Sequence, residues 1–125
     1  MITLQGNEKN MKTRIRATDI TDKVRKAVKA RDNYSCIFCD MFGDSGYDAT
    51  QIMHYVGRAK NGLGIEQNLA FGCVAHHAEL DNGKDSKKYR EAFAEYLKGI
   101  YPDWDERDLV YNKWSGFAIG GNHNG

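Results

Sequence analysis

Apolar residues recur every fourth position at Ile20, Val24 and Val28, while Lys23, Arg25, Lys26 and Lys29 occupy the other faces. That is the period of an amphipathic helix, and either Thr18 or Thr21 is placed to cap its first amides. The pattern ends near Asp32-Asn33-Tyr34. Before it, residues 1–17 show no apolar period and carry four basic residues among Gly6, Asn7 and Asn10, which predicts a flexible basic arm. Residues 40–48 hold Gly43, Asp44, Ser45 and Gly46 and read as a turn or loop. Asp48–Tyr55 is the best strand: Gln51 to Val56 alternates weakly, with Ile52, His54 and Val56 on one side. Leu69–Phe71 is short enough to be its return. Gly57, Gly62 and Gly64 between them predict a loop that turns sharply or approaches something closely. A short helix is expected at Val74–Leu80. A longer one follows, capped by Ser86, with Tyr89, Ala92, Phe93, Tyr96, Leu97 and Ile100 as its core stripe; it stops before Pro102. Asp103-Trp104-Asp105-Glu106 has capping-box character and predicts a last short helix to about Asn112, packed down by Trp104, Leu109 and Trp114. Residues 116–125 are rich in glycine and asparagine and read as a flexible tail in which His123 has no ligand role.

These elements describe a small, mainly helical α+β domain over residues 18–115 with an arm and a tail. The 125 residues, 41% of them hydrophobic and a single one proline, fit one ordered domain small enough to gain from a metal staple. No run of eighteen apolar residues and no charged-then-apolar leader occurs, so a cytoplasmic protein with no membrane partner is expected. The net charge of +1 hides an uneven distribution. Residues 9–34 carry nine Lys or Arg against three Asp, whereas residues 79–110 carry six basic against nine acidic side chains. The first third is therefore a candidate footprint for phosphate, or simply a solvated helix face.

The candidate chemistry lies in the middle. Cys36-Ile-Phe-Cys39 and Cys73-Val-Ala-His76 are two pairs of soft ligands, each with a two-residue gap. Such a gap lets a tight knuckle aim both side chains at one ion, and Cys3His is a closed tetrahedral zinc set. His77 competes with His76 for the fourth position, but the matching gap selects His76. Three cysteines would leave one thiol over in a disulfide framework, whereas a metal site uses all three, which favours a reducing compartment. A plain zinc finger places some twelve to twenty residues between its ligand pairs. Here residues 40–72 intervene, which is room for a hairpin, and that hairpin carries His54.

Taken together, Val24-Arg25, Arg31-Asp32-Asn33-Tyr34-Ser35-Cys36, Cys39, His54, Asn68-Leu69, Cys73, His76 and His77 resemble the HNH endonucleases, or ββα-metal nucleases. The chain is similar to small phage-associated members in which His-x-x-x-Arg leads into Gly-Leu-Gly-Ile-Glu before the asparagine: here His54, Arg58, Gly62 to Glu66, and Asn68. The resemblance spans roughly residues 20–114. It implies a structural zinc on the knuckles. It also implies a second, catalytic divalent ion (Mg2+, Mn2+ or Ni2+) presented by a β-hairpin and helix, with DNA as substrate. The context it implies is a bacterial host's cytoplasm and a phage packaging or recombination protein as partner.

By that resemblance His54 is the general base, Asn68 orients it or helps hold the ion, His77 ligates the ion and Arg58 contacts a phosphate oxygen. A histidine titrating near neutrality suits proton abstraction from water, and a planar guanidinium suits phosphate. One departure stands out. Many members have an acidic residue or a histidine directly before the base, and this chain has Met53, whose thioether is a poor partner for a hard cation. Asp48 and Glu66 are the candidate substitutes. The alternative reading is a non-catalytic zinc-stapled module that binds DNA or a protein partner through the same surface.

Overall fold

The first predicted helix, α1 (Asp22–Arg31), begins as its threonine signal implies: the Thr21 hydroxyl accepts the Val24 amide at 3.2 Å. A computed structural model describes residues 13–112 of the chain. α1 is followed by α2 (Ile37–Phe42), β1 (Ala49–His54), β2 (Leu69–Cys73), α3 (Val74–Asn82) and α4 (Ser86–Ile100), with 3₁₀ turns at Arg58–Lys60, Glu66–Asn68 and Glu106–Leu109. The result is a small, mainly helical α+β fold around one antiparallel strand pair. No helix among the described residues is long and apolar enough to cross a membrane.

β1 and β2 pair from Ala49 opposite Cys73 to His54 opposite Leu69, with a slip between Ala49 and Gln51. Residues directly opposite share a face of the sheet, so the pair separates two apolar clusters. On one side Met53 and Ala70 join Phe38, Leu80, Phe93 and Leu97. On the other, Leu69 and Phe71 cover Val28 of α1, with Ile52 packed alongside. Met53 is fully buried and lies so close over Gly72 that a Cβ there would stand 2.5 Å from its sulfur. The methionine before His54 is therefore a core residue.

A buried ion pair ties α1 to the rest. Arg31 gives Asp32 two hydrogen bonds, of 2.8 and 3.0 Å, and Asp32 also accepts the Phe71 amide at 2.8 Å and the Tyr96 hydroxyl. The remaining guanidinium donors reach the Glu66 and Leu69 carbonyls and the Tyr101 hydroxyl. A buried charge pair is tolerable when its other donors and acceptors are matched in this way. Beyond it, Asn33 and Tyr34 both adopt left-handed φ angles, 57° and 56°, and reverse the chain into the first knuckle.

Four expectations change. Residues 13–18 are helical rather than a free arm, because the buried Thr18 hydroxyl bonds back to Arg14 and Ile15 carbonyls and Gly64 donates to Ala17 O at 3.0 Å. The stretch after Cys36 is the helix α2, too short for a sequence period to show. Ser86 is the first residue of α4 and its hydroxyl donates to Leu80 O; Asp85 holds the cap position, with no side-chain cap bond. Finally, Asp105 rather than Asp103 caps the last turn, which is a 3₁₀ segment ending at Leu109. The close approach expected of the glycine loop is present: a Cβ on Gly62 would overlap Val56 O at 1.7 Å, and one on Gly64 would overlap Asp19 O at 2.0 Å. Residues 1–12 and 113–125, with the expected tail, Trp114 and His123, lie outside the described residues.

Candidate metal centre and candidate active site

Both knuckles are built on the same local device. Cys36 is the N-cap of α2 and its sulfur accepts the Cys39 amide at 3.4 Å; Cys73 is the N-cap of α3 and its sulfur accepts the His76 amide at 3.4 Å. Each helix start thus aims its N-cap and N3 side chains inward together. The four donors converge: His76 Nδ1 lies 3.6, 3.4 and 3.4 Å from the sulfurs of Cys36, Cys39 and Cys73, and Cys39 and Cys73 sulfurs are 3.9 Å apart. A tetrahedron with metal–sulfur bonds of about 2.3 Å and a metal–nitrogen bond of about 2.0 Å has edges of about 3.8 and about 3.5 Å. Those edges match, whereas a disulfide needs about 2.05 Å.

The two buried thiols at this point are held differently. Burial pushes the Cys36 thiol up to about 12. Burial also raises Cys73, but hydrogen bonds from the Ser45 hydroxyl, the His76 amide and the neighbouring thiols outweigh it and leave it below the ordinary thiol range. Ser45 Oγ lies 3.0 Å from Cys73 Sγ and 3.6 Å from Cys39 Sγ. A divalent ion lets several thiolates coexist where burial alone forbids it. Cys36, Cys39, Cys73 and His76 thus form a candidate metal site whose donors and spacing fit zinc; among the described residues this is the one cluster with four such donors drawn together.

His54 and Asn68 lie at the opposite end of the hairpin, and His77 lies against Gln51 of β1. His54 ends β1, and its Nε2 is buried with no hydrogen-bond partner among the described residues. Burial, helped by the charges of Arg58 and His77 and opposed by Asp81, pushes its pKa down to about 4. The ring is therefore uncharged at neutral pH, and it is a weaker proton acceptor than the near-neutral histidine expected from the sequence, because burial disfavours the imidazolium. His77, on the second turn of α3, places Nδ1 3.3 Å from Gln51 Oε1 and Nε2 3.2 Å from Asp81 Oδ2. Both nitrogens face oxygen acceptors, and a neutral imidazole can donate to only one of them. Asp81 is also approached by Arg90 at 3.5 Å, and Arg90 donates to Tyr55 O.

Asn68, expected to orient His54 or help hold the ion, acts as a brace within the protein. It is fully buried; its amide donates to Val56 O at 3.0 Å and Leu63 O at 2.8 Å, and its oxygen accepts the Val56 amide at 2.8 Å. These bonds hold the ends of the Gly57–Gly64 loop and thereby the place of Arg58. Arg58 itself is half-exposed and pairs with Asp19 at 2.7 Å. Neither candidate helper joins His54. Asp48 lies before the far end of β1, about 20 Å away along a six-residue strand, and the Glu66 carboxylate accepts the Tyr101 hydroxyl at 3.5 Å.

The carboxylate that does face His77 is Asp81, missed in the sequence although its signal was there: His77 and Asp81 stand four apart on one helix face. Gln51 and Ser45 had no comparable signal, since only the folded hairpin brings them to His77 and Cys73. No family model, no curated protein and no solved structure matches the chain.

Proposed function

We propose that this chain is a divalent-metal-dependent endonuclease of the HNH, or ββα-metal, type that hydrolyses phosphodiester bonds in DNA, with a structural zinc on Cys36, Cys39, Cys73 and His76. One observation carries the reading: an uncharged His54 with an unpartnered nitrogen sits at the end of a β-hairpin that runs directly into a helix bearing His77 and Asp81. Two strands and a helix are thus arranged around an uncharged imidazole whose buried Nε2 has no partner among the described residues. The 3.2 Å between His77 Nε2 and Asp81 Oδ2 suits two donors on one cation, and imidazole with carboxylate suits Mg2+, Mn2+ or Ni2+. A cation held there would polarise the scissile phosphate and offset charge on the departing oxygen.

The chain's own residues then take distinct parts. His54 accepts the proton of the attacking water. Arg58 exchanges Asp19 for a phosphate oxygen, and Asn68 fixes the loop that presents it. The second reading, a non-catalytic zinc-stapled binding module, draws on the engagement of His77 with Gln51 and on Asn68 being used up within the protein. Zinc-loaded protein incubated with supercoiled plasmid and Mg2+, Mn2+ or Ni2+ decides between them. The nuclease reading expects divalent-dependent nicking that falls at least a hundredfold in His54→Ala with DNA binding retained; no nicking with any ion, or equal nicking by the variant, sinks it.

A further inference from the structure

We infer that the helical residues 13–18, the Arg58–Lys60 turn and the exposed side of α1 form one continuous phosphate-tracking surface, along which duplex DNA lies so that its backbone reaches His54. The inference rests on the nuclease reading for its substrate, but its evidence is separate.

The three segments are locked to one another. Arg14 donates to the Asn61 side chain at 3.5 Å, Gly64 donates to Ala17 O, Arg58 pairs with Asp19, and Thr21 starts α1 two residues later. Arg16, Lys60, Lys23 and Lys26 are exposed and take part in no ion pair among the described residues. Arg31, by contrast, belongs to the same basic run and is consumed by the fold. The sequence alone could not separate cations with an internal task from those without one. The unpaired ones lie on segments tied together by these bonds, and Arg58 joins this surface to His54, whose proton affinity its charge lowers. Unneutralised cations displace the counterions that surround a polyanion, which is the main source of affinity for DNA backbone. Asp19 and Asp22 are the carboxylates in this region, and Asp19 already holds Arg58 in an exposed pair that a phosphate can replace.

The test measures binding apart from cutting. Zinc-loaded His54→Ala protein with no added divalent ion is titrated into a fluorescently labelled 20-base-pair duplex across 50–200 mM salt, followed by anisotropy. Arg16→Gln/Lys60→Gln and Lys23→Gln/Lys26→Gln are compared with Lys84→Gln/Lys87→Gln, a pair on the acidic side carrying the same change in net charge; circular dichroism checks that each remains folded. Each surface pair is expected to weaken binding at least tenfold at 100 mM salt and to flatten the salt slope by about 1.8, two contacts' worth, with the control pair near the parent. If the surface pairs bind like the parent, or the control pair weakens binding equally, the surface is overturned while plasmid nicking still stands. Binding that depends on the surface without any nicking removes the hydrolytic reading and leaves the surface in place.

Discussion

The two ends of the strand pair hold donors of similar kinds in different states of completion. Beside Ala49 and Cys73, four side chains point at a common centre with the edge lengths of a coordination tetrahedron. Beside His54 and Leu69, an imidazole with an unused nitrogen feels the charges of His77 and Asp81, which face each other on α3, and among the described residues no four-donor cluster closes there. The difference lies in what fixes each donor. At the first end each knuckle is a helix N-cap, so backbone amides fix both members of the pair; at the second, single side chains come from separate elements. A closed quartet holds structure together, and an open set leaves room for substrate or water.

The largest effect that tests this contrast is removal of the metal. Cys73→Ser, or exhaustive chelation, is expected to abolish the cooperative thermal transition in circular dichroism, because structural zinc contributes on the order of 10 kcal/mol to small domains. His76→Ala should lose zinc in metal analysis whereas His77→Ala should keep it; equal loss in both would break the division between the two ends.

Next is the brace. Asn68→Ala strands two carbonyls and one amide in a fully buried place, and each unsatisfied group costs about 1–3 kcal/mol. A loss of roughly 3 kcal/mol in urea unfolding, with zinc retained, is expected. An unchanged midpoint would show that the loop does not depend on it.

A smaller effect is pH dependence. The folded pKa of His54, about 4, lies below the ordinary 6.5, so the unfolded chain binds its proton first. The contribution is complete above about pH 6.5, declines as pH falls towards 4 and is constant below that. Allowing for its partial exposure, roughly 2 kcal/mol is involved. His54→Gln should flatten the stability–pH profile across that window; parallel profiles would mean that the ring is solvated like any surface histidine.

The smallest concerns Ser45, whose hydroxyl is, among the described residues, the side-chain partner of the Cys73 sulfur outside the quartet. Ser45→Ala is expected to lower zinc affinity about tenfold in chelator competition, with the hairpin end unaffected.

How much of this the sequence revealed follows from the range of each interaction. A threonine cap at Thr18 or Thr21, the knuckle ligands, the choice of His76 over His77 and the hairpin between the knuckles were legible, because spacing of a few residues encodes them. α2 was not, since its six residues hold too little period and double as the first knuckle. The role of Asn68 was hidden because its partners Val56 and Leu63 are named only by the folded loop. Met53 looked like a vacancy in a ligand set; packed over Gly72, it is part of the core. The helical residues 13–18 escaped notice because their stability comes from docking on the glycine loop and not from an apolar stripe.

The placement of Cys36 and Cys73 at helix starts also bears on how the molecule comes into being. Residues 40–72 lie between the two ligand pairs, so during synthesis an ion at this site would meet only half of its partners until Cys73 has emerged. Its capture would then seed two helical turns at once and close the intervening residues 40–72 in the same event, relieving each helix of the unfavourable first step that short helices face alone.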